Sequence, residues 1–377
     1  MDEGHERGSL RSGMNLCSTH ERERRFRTLP FGSLLIPLTQ RRSHIGSRIS
    51  NTRLLRLQAF MTRRTLEKRD IPAALLAGFR WLRNPVSQGG AKQVPRIQML
   101  ARGPEILADV ERMRAHPTGK RLLVERPDLG VFLSNSAALK AMPEASLGRT
   151  FYDAMDNPVG VPGYLLAGLI YKDGFFDSFD MSDDAKFYLE RIRWLHDLFH
   201  VVSGYATDLA GEGMLIYFQQ AYLYGLNFSA LSRSPFGIGP RYFLRPDCGK
   251  ARWQEYLRDA NSRGLNAYNV CPAVFAPWEE LLPQPLSDVR HQLGIVPFVE
   301  DSSRWLDKSE LGKRASTGFG AQSVEAKQAQ LARKVVEAGV DYRDLYRFSD
   351  EKARSLHLLA ANGATDAQIR EAAGRST

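Results

Sequence analysis

Two histidines and two acidic residues between positions 196 and 212 have the residue types and the spacing of a metal site. His196 and His200 lie four residues apart, Asp197 follows the first of them, and Glu212 lies twelve residues after the second. On a helix that turns about 100° per residue, the first three would share about a quarter of the circumference. Such convergence suits a divalent cation because protein ligands lie roughly 2 Å from the bound ion.

The helices predicted around these residues would bring Glu212 to the histidines. A helix predicted over 183–203 begins after a serine cap, carries acidic residues in its first turn and ends at Gly204. A second helix, predicted over 208–225, starts after a short turn. The two would form an antiparallel hairpin in which Glu212 faces His200 across the turn.

The donor set indicates which ions would bind there. Two imidazoles with one or two carboxylates suit zinc first, and iron, manganese or cobalt also fit. Such sites usually leave a position open to water or substrate, as catalytic centres do. We expect His196, His200 and Glu212 to be direct ligands, and Asp197 to be a fourth ligand or to orient a histidine. The alternative is a core histidine at position 196 and a surface ion pair between Asp197 and Arg193.

The remaining pattern predicts an all-α fold, an irregular multi-helix bundle with the metal site at the helix hairpin. Apolar residues at 3.6-residue spacing and capping signals mark further helices, and no segment has a convincing strand pattern. These helices are a run from residue 70 that ends at Pro85, a helix from Pro104 to Arg114, short helices over 116–150, and helices over 250–264 and 277–293. Residues 232–250, which contain several prolines and glycines, are predicted to form a loop.

Composition and charge exclude several classes of protein. The chain has 377 residues, of which 43% are hydrophobic and 25% charged, as in ordinary globular proteins. Residues 1–60 carry eleven arginines against five acidic residues, which accounts for more than half of the net charge of +10. The basic balance is therefore a weak argument for a nucleic-acid partner, and none is expected. Three cysteines exclude a disulfide scaffold, and no apolar run reaches the roughly 18–20 residues of a spanning helix.

Three parts are predicted along the chain. Residues 1–60 are expected to be a flexible basic leader, or a segment upstream of a true start at Met61. The leader has features of a mitochondrial transit peptide, but its acidic opening argues against that interpretation. Residues 61–300 are predicted to be a helical domain that contains the candidate metal site. Residues 301–377 are predicted to be a helical extension whose last two helices flank an Asn-Gly pair.

The sequence also carries motifs of a known family. HDLFH followed by Glu212 resembles the HDxxH-x11-E signature of the coenzyme Q (ubiquinone) biosynthesis protein 4 family. Four further stretches are similar to segments of that family, in the same order: MRAHPTGKRLLVERPDL (113–129), LKAMPEASLGRTFYDAM (139–155), SGYATDLAGE (203–212) and WEELLPQPLSDVRHQLGI (278–295). The resemblance covers roughly residues 70–296 and loses no position of the signature. It implies that residues 61–300 are the catalytic and lipid-binding domain.

The resemblance implies a site and a reaction. His196, Asp197, His200 and Glu212 would form the metal site and carry the catalysis. The reaction would remove the C1 carboxylate of a 4-hydroxy-3-methoxy-5-polyprenylbenzoate-type precursor, with oxidative hydroxylation at that carbon. If oxygen takes part, a redox-active ion is easier to defend than zinc, which has no redox chemistry. The alternative function is a non-catalytic lipid-binding scaffold that organises the enzymes of ubiquinone biosynthesis at the membrane.

The resemblance also implies a lipid cavity and partners. Five residues on the second helix of the hairpin are predicted to line an apolar cavity for the polyprenyl tail: Met214, Ile216, Tyr217, Phe218 and Tyr222. The alternative is that these side chains only form part of the hydrophobic core. Expected partners are the other ubiquinone-biosynthesis enzymes and a membrane surface, and a homo-oligomer is left open. The expected location is the bacterial cytoplasm, peripheral on the inner membrane, or the matrix side of the mitochondrial inner membrane in a eukaryote.

Overall fold

The computed structural model describes residues 63–83, 92–155, 174–302, 305 and 324–374. The chain divides into two units, Met1–Phe60 and Met61–Thr377. The predicted basic leader lies outside the described residues, and the predicted boundary at residue 300 stays a prediction. The described residues are almost entirely helical, which confirms the predicted all-α class.

The helices are α1 (Ile71–Arg83), α2 (Gln93–Ala115), α3 (Pro117–Glu125), α4 (Leu129–Ser134), α5 (Ser136–Lys140), α6 (Leu147–Met155), α7 (Asp183–Ser203), α8 (Leu209–Tyr224), α9 (Phe228–Leu231), α10 (Pro235–Ile238), α11 (Lys250–Val270), α12 (Trp278–Leu281), α13 (Leu286–Gln292), α14 (Val324–Glu337), α15 (Asp344–Arg347), α16 (Asp350–Ala361) and α17 (Asp366–Gly374). Short 3₁₀ helices cover Phe176–Ser178 and Ala273–Phe275, and a π turn covers Gly239–Phe243. Within the described ranges, the strands are β1 (Arg64–Thr65) and β2 (Phe179–Asp180), which pair in parallel.

The two helices of the predicted hairpin begin and end within one residue of the predicted positions. The Ser182 side chain accepts a hydrogen bond from an N–H in the first turn of α7, and Gly204 ends that helix with φ 77°. The Asp208 side chain caps α8 in the same way, and Gly225 ends it with φ 64°. These signals are local, because a cap satisfies the free N–H groups of one helix end and glycine adopts positive φ without strain.

The predicted start of a helix at Pro104 coincides with a break in α2, because two helical segments meet there at a kink and the second ends at Ala115, one residue beyond the predicted end. Proline has no N–H to donate to the carbonyl four residues earlier, which belongs to Leu100. That carbonyl instead accepts a hydrogen bond of 2.8 Å from the N–H of Asp70. The helix kinks at Arg102, where φ is −128°. A contact from the chain that precedes α1 thus satisfies the carbonyl that the proline leaves free at the kink.

The predicted loop over 232–250 is partly wrong, because helix α10 and the π turn lie inside it. Ser234 caps α10 and Pro235 occupies its first turn. The hydroxyl of Tyr217 donates to the carbonyl of Gly237 at 3.0 Å, and the indole N–H of Trp253 donates to a carbonyl of the π turn. Side chains of α8 and α11 therefore satisfy backbone groups that a free loop would leave to water.

Two further boundaries differ from the prediction. Helix α11 continues six residues beyond Gly264, which does not end the helix but lets α8 approach. A Cβ at this position would lie 2.3 Å from the backbone oxygen of Phe218. The helix predicted over 277–293 is split into α12 and α13, because Pro283 and Pro285 lie between them.

Buried polar contacts hold α7 in place. The guanidinium of Arg191 is buried and donates to both carboxylate oxygens of Glu279, at 2.5 and 2.9 Å. Arg290 donates to the carbonyls of Val201 and Val202 at the C-terminal end of α7. These arginines anchor the helix along its length and at the end that carries the second histidine.

The C-terminal extension packs against earlier helices of the unit Met61–Thr377. The hydroxyl of Tyr342 donates to the carboxylate of Asp128, and its ring meets Trp194 of α7 edge-on at 5.2 Å. Helix α16 ends before Asn362 and α17 begins after Gly363, which confirms the two helices predicted around this pair.

Candidate metal centre

The structure brings His196, His200 and Glu212 together. Nε2 of His196 lies 3.6 Å from Oε2 of Glu212, and Nε2 of His200 lies 3.2 Å from Oε1. The two imidazole rings are perpendicular, with centroids 5.1 Å apart. One ligand atom from each residue falls within 4.8 Å of the other two. The hairpin thus supplies two nitrogens from the end of α7 and one carboxylate from the start of α8.

A hydrogen bond fixes the orientation of each imidazole. Nδ1 of His196 lies 3.0 Å from the side-chain oxygen of Gln219, and Nδ1 of His200 lies 2.9 Å from the backbone oxygen of Tyr205. Both partner atoms are acceptors, so each Nδ1 donates to its partner and each Nε2 faces the Glu212 carboxylate across the common space. Metal-binding histidines are oriented by such partners.

Gln219 contacts the cluster and was not predicted from the sequence. It lies seven residues after Glu212 on α8, which is about two turns, so both side chains are on one face of the helix. This spacing was available in the sequence. A glutamine has many other uses on a helix, however, and only the packing of α8 against α7 shows that it meets an imidazole.

The charges of the cluster are strongly coupled. Burial lowers the pKa of His196, but the carboxylates of Glu212 and Asp197 outweigh this effect and raise the pKa to about 9. Burial raises the pKa of Glu212, but His200 and His196 together hold it well below its usual range. The carboxylate is therefore ionised at neutral pH and attracts a positive charge, either a proton on Nε2 of His196 or a cation.

The cluster is closed on one side and open on the other. The side chain of His200 is 6% exposed, whereas those of His196 and Glu212 are 36% and 37% exposed. Two imidazole nitrogens and one carboxylate are the protein ligands of a common type of catalytic zinc site, which keeps a position for water or substrate. The residues present therefore fit a divalent ion that is approached from the side of His196 and Glu212.

The structure does not bring the fourth predicted residue, Asp197, into this group. It is 9% exposed and lies on α7 next to His196, whose pKa it helps to raise. Asp197 was predicted to be a fourth ligand or to orient a histidine. Its position next to His196 agrees better with the second role than with direct ligation. Its role stays a prediction.

The five residues predicted to line a lipid cavity lie in or beside the core. Met214, Tyr217, Phe218 and Tyr222 are fully buried, and Ile216 is partly buried against the core. The rings of Phe218 and Tyr222 are 5.6 Å apart, and both contact further aromatic rings. These contacts are those of a packed core, and a lipid cavity along α8 stays a prediction.

Comparison with known proteins gives a family match over the same region. The family model described as "Coenzyme Q (ubiquinone) biosynthesis protein Coq4" matches residues 176–298, which include the hairpin and the whole cluster. The resemblance predicted from the motifs is thereby confirmed.

Several individual proteins are similar to the chain. "Ubiquinone biosynthesis protein coq-4, mitochondrial" of Neurospora crassa is 27% identical over 62% of this chain and 64% of its own length. "Ubiquinone biosynthesis protein COQ4, mitochondrial" of Yarrowia lipolytica is 29% identical over 49% of this chain and 64% of its own length. The chain thus spans somewhat less than two thirds of these relatives. The chain is also similar to a Nostoc punctiforme PCC 73102 protein of known crystal structure. The similarity covers 60% of this chain and 99% of that chain, with 19% sequence identity and a TM-score of 0.43.

Proposed function

Because residues 176–298 of this chain belong to the coenzyme Q (ubiquinone) biosynthesis protein 4 family, we propose that the chain acts in ubiquinone biosynthesis as a metal-dependent decarboxylase. The proposed substrate is a 4-hydroxy-3-methoxy-5-polyprenylbenzoate-type acid. The bond between C1 and the carboxyl carbon breaks, CO2 leaves, and the electron pair stays at C1 until a proton takes it up. In the oxidative reaction the two electrons pass to molecular oxygen, which becomes hydrogen peroxide, and water supplies the hydroxyl group at C1. The observation that carries this proposal is the convergence of His196, His200 and Glu212 at a half-open site.

The residues of the chain would divide the work at this site. His196, His200 and Glu212 would hold the ion, and the hydrogen bonds from the two Nδ1 atoms keep both Nε2 atoms aimed at it. A bound divalent ion supplies a positive charge that polarises a carboxylate or phenolate oxygen. The buried His200 side closes the site to water, and the exposed side of His196 and Glu212 leaves room for the aromatic acid.

The proposed ion is zinc by default. Iron, manganese or cobalt would bind the same nitrogen and oxygen ligands. An oxidative reaction favours one of the redox-active ions, because zinc does not change its oxidation state.

The proposed setting is a membrane surface. A polyprenylated acid partitions into the bilayer, and no described helix is long and apolar enough to cross one. We therefore propose a peripheral protein that works beside the other ubiquinone-biosynthesis enzymes. The matrix side of the mitochondrial inner membrane is the proposed location in a eukaryote, and the relatives from Neurospora crassa and Yarrowia lipolytica are both named mitochondrial proteins.

The test is the release of CO2 by purified protein. The chain is loaded with each of the four metals in turn and incubated with the carboxylated precursor and oxygen, and CO2 and the ring product are measured by mass spectrometry. We expect turnover by the loaded chain, its loss in Glu212→Gln, and no change in Glu351→Gln, which alters an exposed carboxylate of α16. A chain that binds metal and lipid but releases no CO2 with any metal would exclude the enzyme and support the scaffold function.

A further inference from the structure

Helix α1 turns five of its six large apolar side chains away from the protein and buries only Trp81. Its buried positions are Ala74, Ala77, Gly78 and Trp81, so three of the four have a small side chain or none. Its exposed apolar positions, called the apolar stripe below, are Ile71, Leu75, Leu76, Phe79 and Leu82. Leu75 and Phe79 are 62% and 60% exposed. A surface helix of a globular protein usually has the opposite arrangement, with its large apolar residues facing the core.

The apolar stripe is continuous along one side of the helix. At about 100° per residue, Ile71, Leu75, Phe79 and Leu82 fall within about 80° of one another, and Leu76 lies about 60° further round. The stripe runs for about 16 Å, which is three turns of the helix. Contiguous exposed apolar patches of this kind mark interaction surfaces, whereas isolated exposed apolar residues are ordinary.

The apolar surface extends to the element beneath α1. The indole of Trp81, on the buried side of α1, lies 6.1 Å from the ring of Phe236 in α10. A Cβ at Gly239, the first residue of the π turn, would lie 2.8 Å from that indole. The same π turn ends in Tyr242 and Phe243, and about half of each side chain is exposed. Two elements in direct contact thus both present large apolar side chains to solvent.

The charged residues within the two elements are all basic, and the nearest acids in the sequence are Asp70 and Asp247 at their flanks. Helix α1 contains Arg80 and Arg83, and residues 228–245 contain Arg233, Arg241 and Arg245. Neither segment contains an acidic residue. Two copies of the chain that met through this surface would bring arginines against arginines. A layer of anionic headgroups would complement them, and its acyl chains would cover the apolar stripe.

We propose that the apolar stripe, with Tyr242 and Phe243, is the surface by which the chain docks on an anionic lipid bilayer. Helix α1 would lie in the plane of the interface, with its apolar side chains at the acyl boundary and its arginines among the phosphates. The inference deepens the peripheral membrane location of the proposed function. It involves no residue of the metal cluster, so docking and catalysis can fail separately.

The experiment measures vesicle binding of the full chain by co-sedimentation. The vesicles are of phosphatidylcholine alone or of phosphatidylcholine with phosphatidylglycerol. We expect binding to the anionic vesicles and at least about a tenfold weaker affinity for Leu75→Ser/Phe79→Ser, since each exchange removes an apolar group that the interface would bury. Arg80→Gln/Arg83→Gln should weaken binding to anionic vesicles and leave binding to neutral ones unchanged. Val124→Ser, at an exposed valine of α3, is the matched control and should bind as wild type does.

Three readouts separate the possible outcomes. The thermal midpoint and the metal content of each variant show whether the fold and the cluster are intact, and the metal content does not depend on vesicles. Equal vesicle binding by Leu75→Ser/Phe79→Ser and wild type would overturn the proposal. A wild-type dimer that becomes monomeric in this variant, with no vesicle binding by either, would also overturn it and assign the stripe to a second copy. Loss of CO2 release with normal vesicle binding would count against the proposed function alone.

Discussion

Substitution of Gln219 tests whether the hydrogen bond to His196 orients a metal ligand. In Gln219→Leu, Nδ1 of His196 loses the acceptor that lies 3.0 Å away. Loss of such a partner typically weakens metal binding 10–100-fold, which is about 1.4–2.7 kcal/mol. The His196 side chain is 36% exposed, so water can replace part of the lost bond. We therefore expect the lower end of this range, about a tenfold increase in the dissociation constant.

The assay is a titration of the metal-free chain with Zn²⁺ or Co²⁺ against a competing chelator at fixed pH. Gln219→Glu keeps an acceptor and should bind the ion at least as tightly as wild type. Gln284→Leu changes a glutamine whose side chain bonds only a carbonyl of its own turn, and it should leave affinity unchanged. Affinity of Gln219→Leu within twofold of wild type would refute the orienting role, provided that His196→Ala binds weakly. Wild-type metal affinity in both Gln219→Leu and His196→Ala would refute the metal site itself.

Three further predictions concern stability. The pKa of His196 in the folded chain is about 9 and exceeds its ordinary value of 6.5, so protonation of His196 stabilises the metal-free fold at low pH. This stability should be lost as the pH rises from about 6.5 to 9. The thermal midpoint of wild type should therefore fall over this window more than that of Glu212→Gln. Gly264→Ala inserts a methyl group against a backbone oxygen of α8 and should cost about 1–3 kcal/mol of unfolding free energy in urea, whereas Gly374→Ala meets no atom within 4 Å and should cost nothing. Arg191→Leu leaves its buried carboxylate partner unpaired and should cost about 3–5 kcal/mol, measured in the same way.

Controls and contrary results for these predictions are specific. Arg252→Leu removes a 62% exposed arginine and should change the unfolding free energy by no more than about 0.5 kcal/mol. A loss below about 1 kcal/mol in Arg191→Leu would mean that the ion pair with Glu279 does not anchor α7. A parallel pH dependence in wild type and Glu212→Gln would show that another group, and not His196, accounts for the loss of stability.

The hairpin could be predicted because its signals are local. Ser182, Gly204, Asp208 and Gly225 act within one turn of their own helix ends, so no distant contact was needed to place α7 and α8. The predictions that failed depend on distant contacts. The segment predicted as a loop forms α10 and a π turn because Tyr217 of α8 and Trp253 of α11, both distant in sequence, donate hydrogen bonds to its carbonyls.

The sequence by itself determined the two helices of the hairpin and the positions of their histidines and carboxylates, because helix caps and helical periodicity act over a few residues. Only the tertiary structure decided which side chains meet. It brought Glu212 and Gln219 of α8 to the imidazoles, kept Asp197 outside the cluster of His196, His200 and Glu212, and turned five of the six large apolar side chains of α1 outward. The physical reason is that the direction a helix face takes depends on what packs against it. The face of α1 with Gly78 and Trp81 packs on α10, where a Cβ at Gly78 would lie 3.7 Å from Pro235 and the Trp81 ring lies 6.1 Å from that of Phe236, and Leu75 and Phe79 stay outside.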